Sequence, residues 1–531
     1  MQIRLGQKWP SALTFYAAVA GIAIFATISL LVQTSSFGLG VSPDSVTYIS
    51  TAQNVLMGRG FITAGPGAMP VDPQPLLVFP PLFPLIVALF GTAGADLFAI
   101  TRYLNAFLLG AVLILVCFTL SDTTHRRVLW ALGAAVVFLS PQLRQVFSFA
   151  WSEPLFILFT LLTFALFRSY TILPGVTPLL GAGITAAAAF LTRYIGVTLP
   201  ACGVLIILCN TRLQFRRRTR DAALFALVAV LPSAAWMTRN WLISGTLTDL
   251  RPPASATVED LLGQFASTTS GWFLPSWAFG HRVLIAILIG CLIFGAIHVC
   301  RAFIRGSATR DVATVFPFVI FIPIYSAIFI TLASRTATDP LGDRYLSPIY
   351  IPLVILAVWS LDRLLPLLQM WSTSIRFDKI ALVGLTLWLF LFPGRIAVHQ
   401  IIYAIRQGAG GYADKGWNQD TFVASLRAHM PVGKMYTDDP FALYYLTGIT
   451  AQITPRKRYY ASTLSLGDTD LESLINNISQ KTPVYIIWFN RDIFNYLFSL
   501  QELQDRLKTE TVFQNSDGAI LRVLGSRAAK V

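Results

Sequence analysis

The residues best suited to chemistry stand at the ends of long apolar runs. Asp44 lies in Ser42-Pro43-Asp44-Ser45-Val46-Thr47-Tyr48, just after the first such run, ahead of Ala52-Gln53-Asn54 and Gly58-Arg59-Gly60-Phe61. A carboxylate in the loop where a membrane segment leaves the bilayer can accept a proton at the water–lipid boundary. The same stretch also fits a helix start, with Asp44 capping a helix through Tyr48 and Ala52. Glu153, in Trp151-Ser152-Glu153-Pro154-Leu155-Phe156, is a second placed carboxylate. Its plainer reading is a helix-start acid facing water, stabilised by the macrodipole, with Pro154 in the first turn. Three arginines mark helix ends: Arg193 before Tyr194, Arg239 before Asn240 and Arg344 before Tyr345. Arginine's planar fork matches phosphate oxygens; snorkelling toward lipid headgroups is the ordinary alternative.

Apolar residues make up 55% of the 531 and charged residues 12%, against ~25% charged in ordinary globular domains. Many apolar stretches are long enough to cross a ~30 Å hydrocarbon core, so the composition defines a polytopic α-helical membrane protein. The net charge of +14 does not indicate nucleic acid. Its sources cluster in short loops: His125-Arg126-Arg127; Arg212, Arg216, Arg217, Arg218 and Arg220; Arg301, Arg305 and Arg310. Such loops belong on the cytoplasmic side of a bilayer, against anionic lipid. Cys117, Cys202, Cys209, Cys291 and Cys300 sit in or beside apolar runs, with no disulfide or zinc spacing. No ligand spacing supports a metal at His281, His298 or the scattered carboxylates.

The basic loops thread the topology. Arg4 and Lys8 precede an uncharged run, Ala12 to Val32, which reads as a retained first span with the N-terminus in the cytoplasm. Residues from about 34 to 100 form an outer loop rich in proline (Pro66, Pro70, Pro73, Pro75, Pro80, Pro81, Pro84). Its apolar piece Leu82 to Phe90 is too short to span and reads as re-entrant. Spans follow near 103–121, 128–143, 155–170, 176–192, 194–210, 221–241, 283–300, 312–333, 346–365 and 380–403, about eleven in all. This puts Asp44, Glu153, Arg193, Arg239 and Arg344 on one face, outside. Trp272 and Trp277, in an outer loop, read as interfacial anchors. Residues 1–405 form the membrane domain and 406–531 a small extracytoplasmic α/β domain. In the latter, Gly433 to Asp439 reads as a strand running into a turn, Phe441 to Leu446 as a helix ended by Gly448, and Val484 to Phe489 as a strand. Ile493 to Leu507 has helical periodicity. Asn477-Ile478-Ser479 matches a glycosylation tripeptide that carries no weight.

In this order the pieces resemble the GT-C glycosyltransferases, multi-spanning enzymes that take sugars from polyprenyl-phosphate carriers. The first-loop pattern around Asp44 resembles their acidic loop. Phe79-Pro80-Pro81-Leu82-Phe83-Pro84-Leu85 is similar to their Pro-Pro-Leu-x-Pro-Leu segment, and Trp151 to Phe156 to their second acidic position. Gly342-Asp343-Arg344-Tyr345-Leu346-Ser347-Pro348 resembles their late Arg-Tyr motif. The resemblance covers roughly residues 10–360 and extends distantly to protein O-mannosyltransferases and lipid A aminoarabinose transferases. A single Asp stands where the O-mannosyltransferases carry an Asp-Glu pair.

The resemblance implies transfer of a monosaccharide, with inversion, from a polyprenyl-phosphate-linked donor to an extracytoplasmic glycan, lipid or protein. It makes Asp44 the base. Glu153 would orient the acceptor or help hold a divalent metal with Asp44. Arg344 with Tyr345, then Arg193, then Arg239, would meet the carrier phosphate. Two other readings stay open. A transporter or flippase would place ionisable residues and broken helices near the midplane, whereas here they gather at helix ends. A non-catalytic relative would not need an intact Asp44. The Tyr436-Thr437-Asp438-Asp439-Pro440 stretch reads as a strand-end turn, in a domain expected to help recognise the acceptor.

Overall fold

The computed structural model describes residues 11–63, 74–92, 94–370, 377–428, 430–478, 482–491 and 494–527. The N-terminal charges Arg4 and Lys8, three of the loop prolines (Pro66, Pro70 and Pro73), Ser479 of the glycosylation tripeptide and Ile493 lie outside them. Among these residues eight helices are long and apolar enough to cross a membrane: Ala12–Gln33, Leu97–Thr123, Glu153–Ile172, Phe215–Ser244, His281–Ile304, Arg310–Ala333, Asp343–Pro366 and Leu382–Gln407. Arg127–Phe138, Val176–Thr192 and Tyr194–Leu208, shorter but apolar, fill the remaining segments expected to span. Leu82–Gly91 is a helix of 10 residues, about 15 Å long and so half the hydrocarbon thickness.

Local chemistry breaks three of the expected spans. The 128–143 segment stops at Phe138 and restarts as Pro141–Ser148, because Ser140 caps the new helix and Pro141 opens it. The 380–403 segment contains a π-turn, Phe390–Gly394, around Pro393, where the missing N–H disturbs the ladder. Past Arg193 the chain takes a 3₁₀ turn, Tyr194–Val197, before the helix Thr198–Leu208.

The loops segregate to two ends of the bundle. At one end Arg212 donates to the Gly306 carbonyl at 3.1 Å, Arg168 and Arg310 meet Asp122 at 2.5 and 3.1 Å, and His125 and Arg363 meet Asp362 at 2.8 and 3.2 Å. The other end carries the helix starts at Glu153 and Asp343, the turn at Arg193, and the C-terminal region.

That region holds a mixed five-stranded sheet. After a ribbon of β1 (Ile62–Thr63) and β2 (Gln74–Pro75) in the first loop come β3 (Lys434–Thr437), β4 (Gln452–Ile453), β5 (Val484–Phe489), β6 (Leu507–Gln514) and β7 (Gly518–Ser526). The sheet order is β4-β3-β5-β7-β6, parallel across β4-β3-β5 and antiparallel beyond. The helix Pro440–Thr447 ends on Gly448, as read from sequence. The expected helix from Ile493 shrinks to Leu500–Arg506, capped by Ser499 and Glu502; at Leu507 the chain turns into β6.

Two residues join these parts. Gly40 donates to the Ser148 carbonyl at 2.8 Å and accepts from Ala150 at 3.0 Å; Val41 donates to Gly410 at 3.1 Å and accepts from Tyr412 at 2.9 Å. The segment just before Asp44 is thus stitched to the approach to Glu153 on one side and to the C-terminal region on the other. Gly411 is at φ +67°, and a Cβ there would lie 1.9 Å from the Val41 carbonyl oxygen. Gly411→Ala should therefore cost more than about 1 kcal/mol, read as a lower melting temperature and faster proteolytic release of the C-terminal region from detergent-solubilised protein. Unchanged melting and protease resistance would contradict the stitch.

Candidate active site

Each functional side chain leaves a helix end. The helix Pro43–Leu56 is capped by Ser42, whose side chain and that of Ser45 form a reciprocal capping box. Capping therefore falls to Ser42, and Asp44, in the first turn, is left to reach outward. Glu153 opens the helix Glu153–Ile172, and Arg193 follows the helix Val176–Thr192. Arg344 is in the first turn of the helix Asp343–Met370. The approach to Glu153 is fixed by buried Asn105, which donates to the carbonyls of Phe147 and Phe149 at 3.0 and 2.7 Å.

The four ends converge. Arg344 donates from Nη2 to Asp44 Oδ2 at 2.5 Å and from Nε to Glu153 Oε1 at 2.6 Å. Arg193 Nη1 reaches the same Glu153 oxygen at 2.6 Å and the Ser152 hydroxyl at 3.1 Å. Tyr48 shares a hydrogen bond with Ser152 at 3.0 Å. The Arg344 guanidinium lies 4.2 Å from the Trp151 ring centre, and the Trp151 indole N–H donates to Ser42 at 2.7 Å. Glu153 is 1% exposed, whereas the Asp44 side chain is 30% exposed. Two cations and two anions thus form a neutral cluster in which Glu153 is the buried anchor and Asp44 the accessible member.

The other expected residues differ. Tyr345 donates from its hydroxyl to Asp339 at 3.2 Å and lines the same cavity as Asp44 and Arg344. Arg239 stands apart from the cluster. It holds the first loop, donating to the carbonyls of Leu76 at 2.9 Å and Phe61 at 3.3 Å while lying over Trp236. Trp272 is buried, donating to Asp343 Oδ1 at 2.7 Å and meeting Tyr350 edge-on. It anchors the neighbouring loop to the helix of Arg344, which corrects the interfacial reading; Trp277 is exposed. Arg344 engages one oxygen of each carboxylate, Asp44 Oδ2 and Glu153 Oε1, and no group of three metal-capable residues gathers among the described residues.

Asp44, Trp151, Arg344 and Tyr345 line a cavity of about 810 Å³ whose far wall is the C-terminal region, including Asp438 and Asp439. The sequence signal for those two, an Asp-Asp-Pro at a strand end, reads locally as a turn. The helix Pro440–Thr447 does start there, capped by Asp439. A second, apolar cavity of about 530 Å³ opens between the helices Arg127–Phe138, His281–Ile304, Asp343–Met370 and Phe377–Leu389. One of its lining residues, Phe273, adjoins Trp272, and so the Asp343–Arg344 helix start.

No family model and no curated protein matches the chain. Solved structures do. ArnT from Cupriavidus metallidurans in the apo state is 12% identical, with a TM-score of 0.60 over 96% of this chain and 98% of that one. The same protein bound to undecaprenyl phosphate gives 13% identity and 0.58 over 96% and 98%. The oligosaccharyltransferase AglB from Archaeoglobus fulgidus, in complex with an inhibitory peptide and a dolichol-phosphate, is 10% identical, with a TM-score of 0.56 over 98% and 75%. The chain shares the fold of these solved structures over nearly its whole length.

The cluster makes a stability prediction. Glu153→Gln would leave Arg193 and Arg344 facing each other around a neutral amide. Breaking a buried pair in this way costs about 3–5 kcal/mol. Thermal unfolding in detergent should show a clear loss of stability; a melting temperature equal to wild type would contradict the anchoring role.

Proposed function

We propose that the protein is an extracytoplasmic-facing glycosyltransferase that moves a monosaccharide from a polyprenyl-phosphate carrier to a hydroxyl acceptor. The observation that carries this reading is the direct Asp44–Arg344 contact at the floor of one cavity: a base and a phosphate-binding cation held together at the end of a membrane bundle. The carrier phosphate takes the place of the Asp44 carboxylate on Arg344, with Arg193 adding positive charge behind it. Asp44, so released, accepts the acceptor's hydroxyl proton. The acceptor oxygen attacks the anomeric carbon as the carbon–oxygen bond to phosphate breaks. The bonding pair stays on the phosphate oxygen, where the guanidinium stabilises it. A single displacement of this kind inverts the anomeric centre.

Two further features support the reading. The apolar cavity beside Phe273 suits a prenyl chain lying between helices, with its phosphate toward Arg344. The basic loops gather at the opposite end of the bundle from this site, which by the positive-inside rule is the cytoplasmic end. The N-terminus is then cytoplasmic, and the site and the C-terminal domain (406–531) lie outside.

The test is transfer of radiolabelled sugar by purified protein in lipid, from a panel of polyprenyl-phosphate monosaccharides to an envelope extract. Wild type should label an acceptor, and a folded Asp44→Asn variant should be slower by about 10²–10⁴-fold. Equal label from both would remove Asp44 from its role. No label, with sugar or lipid crossing vesicle membranes instead, would favour a transporter or flippase.

A further inference from the structure

Resting on that reading, the cavity above Asp44 carries information about what enters it. Its wall presents five carboxylates, Asp44, Asp339, Asp343, Asp438 and Asp439, against a single guanidinium, Arg344, among the described residues. Four of the five are tied to neighbours, Asp44 to Arg344 among them. Asp339 accepts from Tyr345 and Tyr460, Asp343 from Trp272, and Asp439 from Tyr412 and the Ala442 amide. Asp438 is different. It is 1% exposed, its Oδ1 accepts from the Phe489 amide at 3.0 Å, and its Oδ2 has no hydrogen-bond partner. An unpaired buried carboxyl oxygen costs stability, so its presence on a cavity wall calls for a ligand group that completes it.

Half of the remaining wall residues are aromatic, Trp151, Tyr412, Tyr460 and Tyr496 among them. Flat rings beside carboxyl groups suit a sugar, which offers C–H faces to the rings and hydroxyls to the acids. A peptide finds less here. The nearest sheet edge, β4, is two residues long, too short to add an extended strand.

We infer that this cavity is the acceptor site, that it takes a hydroxyl-rich glycan free of phosphate and carboxylate groups, and that Asp438 and Asp339 set this selectivity. Burial, with Asp439 alongside, lifts the Asp438 carboxyl well above the ordinary carboxylate range, so it can donate to a sugar hydroxyl. Even with Asp438 neutral, four acids face one arginine that the donor phosphate already claims. An anionic acceptor would meet like charge in a confined space, an arrangement that suppresses wrong partners.

The experiment sorts the acceptors that purified full-length protein labels in an envelope extract, using polyprenyl-phosphate mannose, glucose and arabinose as donors. Labelled glycan should pass through an anion exchanger with at least tenfold more label than the retained fraction. The Asp339→Asn/Asp438→Asn variant, and Asp339→Asn alone, should shift label toward the retained fraction. Label mainly in retained, phosphatase-sensitive material, or in protein, overturns the inference while leaving the catalytic reading intact. Absence of label from every donor, with undecaprenyl phosphate still bound, overturns the transfer reading and this inference with it.

Discussion

Arg344 is claimed twice, by Asp44 through Nη2 and by Glu153 through Nε, with Trp151 against its face. Around it the rest of the site is arranged. Glu153 cannot move without exposing two buried guanidiniums to each other. Asp44 can move, because it is the more exposed partner, at the floor of the cavity. Under the proposed function, an arriving anion that competes with Asp44 for the arginine both gains a cation and liberates a base. Donor binding and activation of the acceptor would then be one event, which favours donor before acceptor.

The scaffold serves that exchange. Four helix ends must meet, and each is placed by an interaction outside the charge cluster: the Ser42 cap on the helix of Asp44, Asn105 on the approach to Glu153, the 3₁₀ turn after Arg193, and Trp272 on the helix of Arg344. The Gly40–Val41 stitch then sets the distance between Asp44 and the C-terminal wall of the cavity. A residue as remote as Gly411 thereby bears on the geometry of the cavity around Asp44.

Much of this was legible in the chain, for a physical reason. Crossing a bilayer demands length and apolarity, so the spans show in composition alone, and the Ser-Pro-Asp-Ser and Trp-Ser-Glu-Pro stretches mark helix starts by their caps. Partnerships were less visible. Asp44 and Arg344 are 300 residues apart, and nothing local in either says that they touch. Arg239 carries the same local signature as Arg344, yet packing directs it to loop carbonyls. Trp272 looks interfacial by type and is buried because Asp343 takes its N–H. The Asp438–Asp439 pair stands at a strand end, as its local sequence implies, and docking of the C-terminal region makes it a cavity wall. The β6–β7 hairpin carried a usable signal, Asn515-Ser516-Asp517-Gly518, that the helical periodicity upstream obscured.

The proposed function requires that Asp44 and the carrier phosphate compete for Arg344. The direct measurement is affinity for undecaprenyl phosphate, without sugar or acceptor, in wild type, Asp44→Asn and Arg344→Gln in lipid nanodiscs. Asp44→Asn should bind more tightly, by about tenfold or ~1.4 kcal/mol, and Arg344→Gln should lose binding. Weaker or unchanged binding by Asp44→Asn would contradict that competition.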